Sequence, residues 1–174
     1  MNKALFLDRD GVINVHNNYV YQIEHFIFNE HIFDVCKFFQ SLNYKIIIIT
    51  NQAGIAKKIF NLDDLTIVNQ YMTNEFYKKN IQIDHIYYCP HHPDYDLDCF
   101  SRKPNPGMIL KAKDDYKIDL ESSILIGDQN SDIEAASRAG IGKSFFFNSN
   151  ISQIDLPHNS TRINSLLDVT KNYE

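Results

Sequence analysis

Five short apolar runs, Lys3–Leu7, Lys45–Ile49, His85–Tyr88, Ser123–Ile126 and Lys143–Phe147, constrain the fold of this chain more than any other feature. Each is rich in Ile, Leu, Phe or Tyr and none alternates apolar with polar residues, the pattern of strands covered on both faces. The intervening segments His31–Leu42, Leu62–Lys79, Pro106–Tyr116 and Asp132–Ala139 repeat apolar residues at three- and four-residue spacing and read as helices. Asp63 with Thr66, and Asn105 before Pro106, mark helix starts, and Gly140 after Ala139 marks a stop. The order βαβαβαβαβ predicts an α/β fold, a parallel sheet with helices on both faces. With 174 residues, 44 % of them hydrophobic, the chain can bury a core of ordinary domain size. No repeat or low-complexity linker divides it, so residues 1–174 read as one domain, with the weakest pattern from about Asn150 onward.

Charge and cysteine usage narrow the function classes. Seventeen Lys and Arg stand against 22 Asp and Glu, a net charge of -5, and no basic tract is present to grip nucleic acid or an anionic membrane. The start MNKALFLD has no long apolar stretch before a small-residue cleavage site, and nowhere do about 18 apolar residues run together. A cytoplasmic protein, monomeric and acting on a small molecule, is the expectation. Of three cysteines, Cys89 and Cys99 share a short loop with histidines, which favours metal over a disulfide framework. Cys36 lies on an apolar helix face and reads as core.

In open α/β sheets the ligand site lies beyond the carboxyl ends of the strands, near the switch in strand order. Asp8 and Asp10 follow the first run, Thr50-Asn51 end the second, Arg102-Lys103 sit in the loop after the third, and Gly127-Asp128 end the fourth. Carboxylates gathered this way are costly unless a cation neutralises them, and an oxygen-only ligand set suits Mg²⁺. Lys103, Arg102, Thr50 and Asn51 would suit the oxygens of a phosphoryl group.

The set Asp8-Arg9-Asp10-Gly11-Val12, Thr50-Asn51-Gln52, Lys103 and Gly127-Asp128-x-x-x-Asp132 resembles the four motifs of the haloacid dehalogenase superfamily, in its phosphatase branch. The stretches TNQAGIA, YYCPHHP and RKPNPGM resemble, more narrowly, the D-glycero-D-manno-heptose 1,7-bisphosphate 7-phosphatase family, with histidinol-phosphate phosphatases close by. The resemblance implies a Rossmann-like sheet with one inserted metal-binding loop. It also implies a Mg²⁺-dependent phosphatase acting on a small phosphosugar through an aspartyl-phosphate. In that scheme Asp8 is the nucleophile and Asp10 the general acid and base, aimed by the turn at Gly11. Mg²⁺ is held by Asp8, the Asp10 carbonyl and Asp128, while Thr50, Asn51 and Lys103 steady the transferring group and Asp132 supports the metal site or Lys103. Taken singly, a lysine before proline is a solvated charge and Asp132 a helix cap. His16, Asn17, Asn18, Tyr19, Asn51, Gln52 and Arg102 align with residues that contact substrate, although His16–Tyr19 also reads as an ordinary polar loop.

The family places a structural Zn²⁺ on Cys-x-His and Cys-x-Cys. Cys89, His91 and Cys99 match three of these positions, but Ser101 takes the fourth, and a neutral hydroxyl is a poor zinc ligand beside a thiolate. A water, Asp98 or His92 completing the site, weak zinc binding, and a loop packed without metal all stay open. Gln129 stands where the family has lysine and Ala53 where serine is common, which bears on substrate rather than on the phosphatase machinery. About 30 residues separate DRDGVIN from IIIITNQ, and one helix fills most of the gap after the second motif, so neither insertion holds a large cap of about 60 residues. The Cys89–Arg102 and His16–Tyr19 loops are left to wall the site. Two other classes are weighed against this reading. A zinc hydrolase on Cys89, His91 and Cys99 leaves Asp8, Asp10, Thr50, Lys103 and Asp128 unexplained, and a non-catalytic phosphosugar-binding module does not need the nucleophile and acid that are present.

Overall fold

A computed structural model describes residues 1–147 and 155–173. Its centre is a six-stranded parallel sheet of β1 (Lys3–Leu7), β2 (Tyr44–Asn51), β3 (His85–Cys89), β4 (Ile124–Gly127), β5 (Lys143–Phe147) and β6 (Ser160–Ile163), in the order β3-β2-β1-β4-β5-β6. All five expected strands are present, within two residues of their sequence bounds. The edge strand β6 and the short helix α5 (Leu167–Lys171) were not expected.

Successive β1 side chains feed opposite layers, as the pleat requires. Leu5 and Leu7 join Ile46 and Ile48 under α1 (Ile32–Ser41), α2 (Leu62–Lys78) and α5, where Val35, Phe39, Val68, Phe76 and Val169 are buried. Ala4 and Phe6 join Ile47 and Ile49 on the other face, under α3 (Gly107–Tyr116) and α4 (Asn130–Ala139), with Met108, Ile109, Ile133 and Ala136. Buried on both sides, the central strands have no polar face to show, which is why their runs lack alternation.

The helix starts are corrected in detail. Asn61 caps α2, its side chain accepting from the Asp63 and Asp64 backbone N–H groups while Asp64 accepts from the Asn61 N–H, so the start does not rest on Asp63 with Thr66. Helix α3 begins at Gly107, and α4 begins at Asn130, two residues before the expected Asp132. Gly140 closes α4 at φ 83°, a left-handed conformation that glycine adopts freely.

From β1 the chain runs to β2 and β3 on one side and reaches β4 on the other, so the strand order reverses between β1 and β4. Leu7 pairs with both Ile48 and Ile126, and the Asp8 N–H donates to the Ile126 carbonyl at 3.1 Å. That register sets the residues after β1, β2 and β4 side by side at the crevice. Between β1 and β2 the chain forms only a short 3₁₀ turn (Ile23–His25) and α1, so no large cap covers it.

Candidate active site

An open cleft of about 230 Å³ lies at this edge, lined by Asp8, Asp10, Thr50, Asn51, Gln52, Lys103 and Asp132 on its floor and by His16, Asn18, Tyr19 and Arg102 around them. Ala53, Gln129 and Ser131 complete the lining. Asn17 is exposed and is not among the lining residues.

Lys103 is the hub of the floor. Far from being a solvated charge, its side chain is 2 % exposed, with Nζ 2.8 Å from Asp8 Oδ1, 2.6 Å from Asp132 Oδ1 and 2.9 Å from the Ile49 carbonyl. Burial alone would lower the lysine pKa, but Asp132 and Asp8 outweigh it and hold the ammonium well above the usual lysine range. Its backbone is fixed by Asn51, whose side chain donates to the Lys103 carbonyl and accepts from the Lys103 N–H, both at 3.0 Å.

Asp132 does more than either of its expected readings. While Oδ1 meets Lys103, Oδ2 accepts from the Asp128 and Gln129 backbone N–H groups at 3.1 and 3.0 Å, so one carboxylate caps α4 and anchors the lysine. Gly127 permits this approach, because a Cβ there would stand 2.2 Å from the Asp132 Cβ.

Asp8, Asp128 and Asp132 form the one group among the described residues able to bring three metal-ligand atoms within 4.8 Å of one another. Burial drives the Asp8 carboxyl well above the usual carboxylate range; Lys103 opposes this, and Asp132 and Asp128 add to it. Burial, then Asp132, pushes Asp128 up to about 6, with a Gln129 amide hydrogen bond of 2.8 Å to Oδ2 and His16 opposing. Lys103 thus sits against a cluster of three buried carboxylates, and the oxygen-only donor set fits a hard divalent cation such as Mg²⁺. Gly11, at φ 100°, lets the chain pass over this group, since a Cβ there would lie 2.2 Å from Asp128 Oδ2.

Asp10 stands beside Asp8 in a cradle of donors. Arg9 Nη2 reaches both its oxygens at 3.0 and 2.9 Å, Asn14 Nδ2 reaches Oδ1 at 3.0 Å, and Gln52 Nε2 reaches Oδ2 at 2.9 Å. Arg9 is fully buried and also donates to the Val20 carbonyl at 2.7 Å. Sequence reasoning passed over Arg9 and Asn14. The available signal was an arginine set between two aspartates at the end of a buried strand.

The expected zinc set is not assembled. Among the described residues Cys89, His91 and Cys99 do not bring three ligand atoms within 4.8 Å, and none of them lines the cleft. His91 Nδ1 meets Asp96 Oδ2 at 2.6 Å, and Asp96 also accepts from the His92 and Leu97 N–H groups. Arg102 Nη1 donates to the His91 carbonyl and Asn105 to the Cys99 carbonyl, so hydrogen bonds close the loop. Burial pushes the Cys89 thiol up to about 11, the His91 N–H opposing and the Cys99 thiol adding.

A buried carboxylate against a buried lysine, a second carboxylate two residues on and a cation-ready acidic group, set at the switch point of a parallel sheet without a large cap, make the arrangement of a haloacid dehalogenase-like phosphatase. The HAD-hydrolase-like family model matches residues 100–156. The chain is 43 % identical over 169 residues to the D-glycero-alpha-D-manno-heptose-1,7-bisphosphate 7-phosphatase of Campylobacter jejuni, covering 97 % of this chain and 96 % of that one. It is 43 % identical to the corresponding beta-heptose phosphatase of Helicobacter pylori, over 80 % of each chain. The crystal structure of the D,D-heptose 1,7-bisphosphate phosphatase from B. bronchiseptica, complexed with magnesium and phosphate, superposes with a TM-score of 0.89 at 26 % identity, covering 98 % of this chain and 97 % of that one. The chain belongs to the heptose-1,7-bisphosphate 7-phosphatase family.

Proposed function

We propose that this protein hydrolyses D-glycero-D-manno-heptose 1,7-bisphosphate at its 7-phosphate. The observation that carries this reading is the cleft floor itself, where Asp8 lies against Lys103 and Asp10 stands two residues on, in a chain related along its whole length to enzymes named for this reaction. Asp8 attacks phosphorus, and the bond to the sugar oxygen breaks as the aspartyl-phosphate forms. Asp10 delivers a proton to the departing oxygen, then takes one from the water that attacks the phosphoenzyme and releases Asp8. Thr50 and Lys103 stabilise the transferring group, and Asn51 acts by fixing the Lys103 backbone. Asp8, Asp128 and the Asp10 carbonyl would hold Mg²⁺, which supplies the positive charge that lets an anionic nucleophile approach an anionic phosphate.

His16, Asn18, Tyr19 and Arg102 form the walls against which the sugar is placed. The Cys89–Arg102 loop enters as a support held by hydrogen bonds, and stoichiometric zinc in protein purified without added metal would overturn that assignment. Among the described residues no helix is long and apolar enough to cross a membrane.

The deciding experiment is steady-state kinetics with Mg²⁺ across the alpha and beta heptose bisphosphates, histidinol phosphate and nucleotides, with product analysis locating the remaining phosphate. A kcat/KM highest for a heptose bisphosphate, with the 1-phosphate retained, is the expected result. Histidinol phosphate performing at least as well would replace this reading.

A further inference from the structure

We infer that Gln52 is a positioning residue that couples the acid/base carboxylate to the phosphoryl-binding hydroxyl, rather than a contact for the sugar. This inference rests on the phosphatase reading above. Gln52 is almost fully buried, and its Nε2 lies 2.9 Å from Asp10 Oδ2 and 2.9 Å from Thr50 Oγ1. The amide has two N–H groups, and both are committed within the site. The orientation of the amide follows from chemistry, because the opposite one would set the Gln52 carbonyl against the Asp10 carboxylate.

Two consequences follow. Thr50 Oγ1 accepts from Gln52, so the threonine hydroxyl keeps its own hydrogen for a phosphoryl oxygen. Asp10 Oδ2 is held by Gln52 from the β2 side while Arg9 and Asn14 hold the carboxylate from its own loop. Residues 42 apart in the chain are thereby locked into one geometry, and a misplacement of about 1 Å in such groups costs on the order of 100-fold in rate.

The test uses Gln52→Met, which keeps length and removes both donors, and Gln52→Glu, which keeps the shape and sets a carboxylate against Asp10. Thermal melting establishes that each variant is folded, and the glutamate variant decides the matter if the methionine variant does not fold. On the best sugar phosphate substrate kcat should fall about 10- to 100-fold, with KM within about threefold of wild type, the signature of a group acting through others. The loss on p-nitrophenyl phosphate should be at least fivefold smaller, because that leaving group departs with little help from Asp10. In an Asp10→Asn background the same substitution should cost at least about threefold less than in the wild type, since one of the two groups it positions is gone. A rise in KM with kcat unchanged would make Gln52 a sugar contact and overturn the inference, as would equal and additive losses on both substrates. If wild-type protein favours a phosphomonoester other than the heptose bisphosphate, the substrate reading fails while the comparison is run unchanged on that ester.

Discussion

Asp132→Asn removes one charge and no atoms of bulk, and the structure lets its cost be worked out. The side chain is 2 % exposed, one oxygen 2.6 Å from the Lys103 ammonium and the other accepting two backbone N–H groups at the start of α4. Whichever way the asparagine amide turns, its NH₂ faces a donor. Breaking a buried ion pair by removing one partner costs about 3–5 kcal/mol, and Lys103 keeps Asp8 and the Ile49 carbonyl, which favours the lower end. The asparagine keeps one oxygen, so the lost lysine contact and the lost helix-capping acceptor, worth about 1 kcal/mol, are alternatives, and unfolding free energy should drop by about 3 kcal/mol. For a chain of this size that is a fall in Tm of roughly 10 °C. The control is Glu134→Gln, which breaks a half-exposed pair with Arg138 on the same helix and should cost under about 0.5 kcal/mol. Urea titrations of the three proteins measure both values, and kcat of Asp132→Asn should fall about 10- to 100-fold as Lys103 loses its anchor. An Asp132→Asn unfolding free energy within about 1 kcal/mol of the control would refute the claim that this carboxylate joins the helix cap to the lysine.

Asp8→Asn should abolish phosphate release by several decades and leave no trappable phosphoenzyme, checked by rapid quench and by inorganic phosphate assay. Gly11→Ala should destabilise by about 2 kcal/mol through its left-handed backbone and weaken Mg²⁺ binding, read by calorimetry with the metal alone, because the new Cβ would meet the Asp128 carboxylate. Chelation with EDTA should stop turnover, with Mg²⁺ and not Zn²⁺ restoring it. Metal analysis should find no stoichiometric zinc in the wild type and a gain of zinc in Ser101→Cys, which adds a third thiol to Cys89 and Cys99.

The sequence by itself determined the sheet and the chain positions of the chemistry. Strands buried on both faces must be apolar throughout, and a charge can enter only where such a strand ends, so Asp8, Thr50 and Asp128 announce both the strand ends and the edge where ligands bind. It missed β6, whose residues Ser160–Arg162 are only partly buried and which is held to β5 by backbone pairing that carries no side-chain signature. Partnership belonged to the tertiary structure alone. That Lys103 is buried between Asp8 and Asp132, and that Gln52 turns to Asp10, depend on chain segments brought together from far apart. His91, which spacing offered to a metal, meets Asp96 through Nδ1 in the folded loop. A local pattern specifies which residues leave the strand; the crossovers between β1, β2, β3 and β4 decide what each of them meets, since hydrogen bonds and ion pairs act over about 3 Å and are indifferent to distance along the chain.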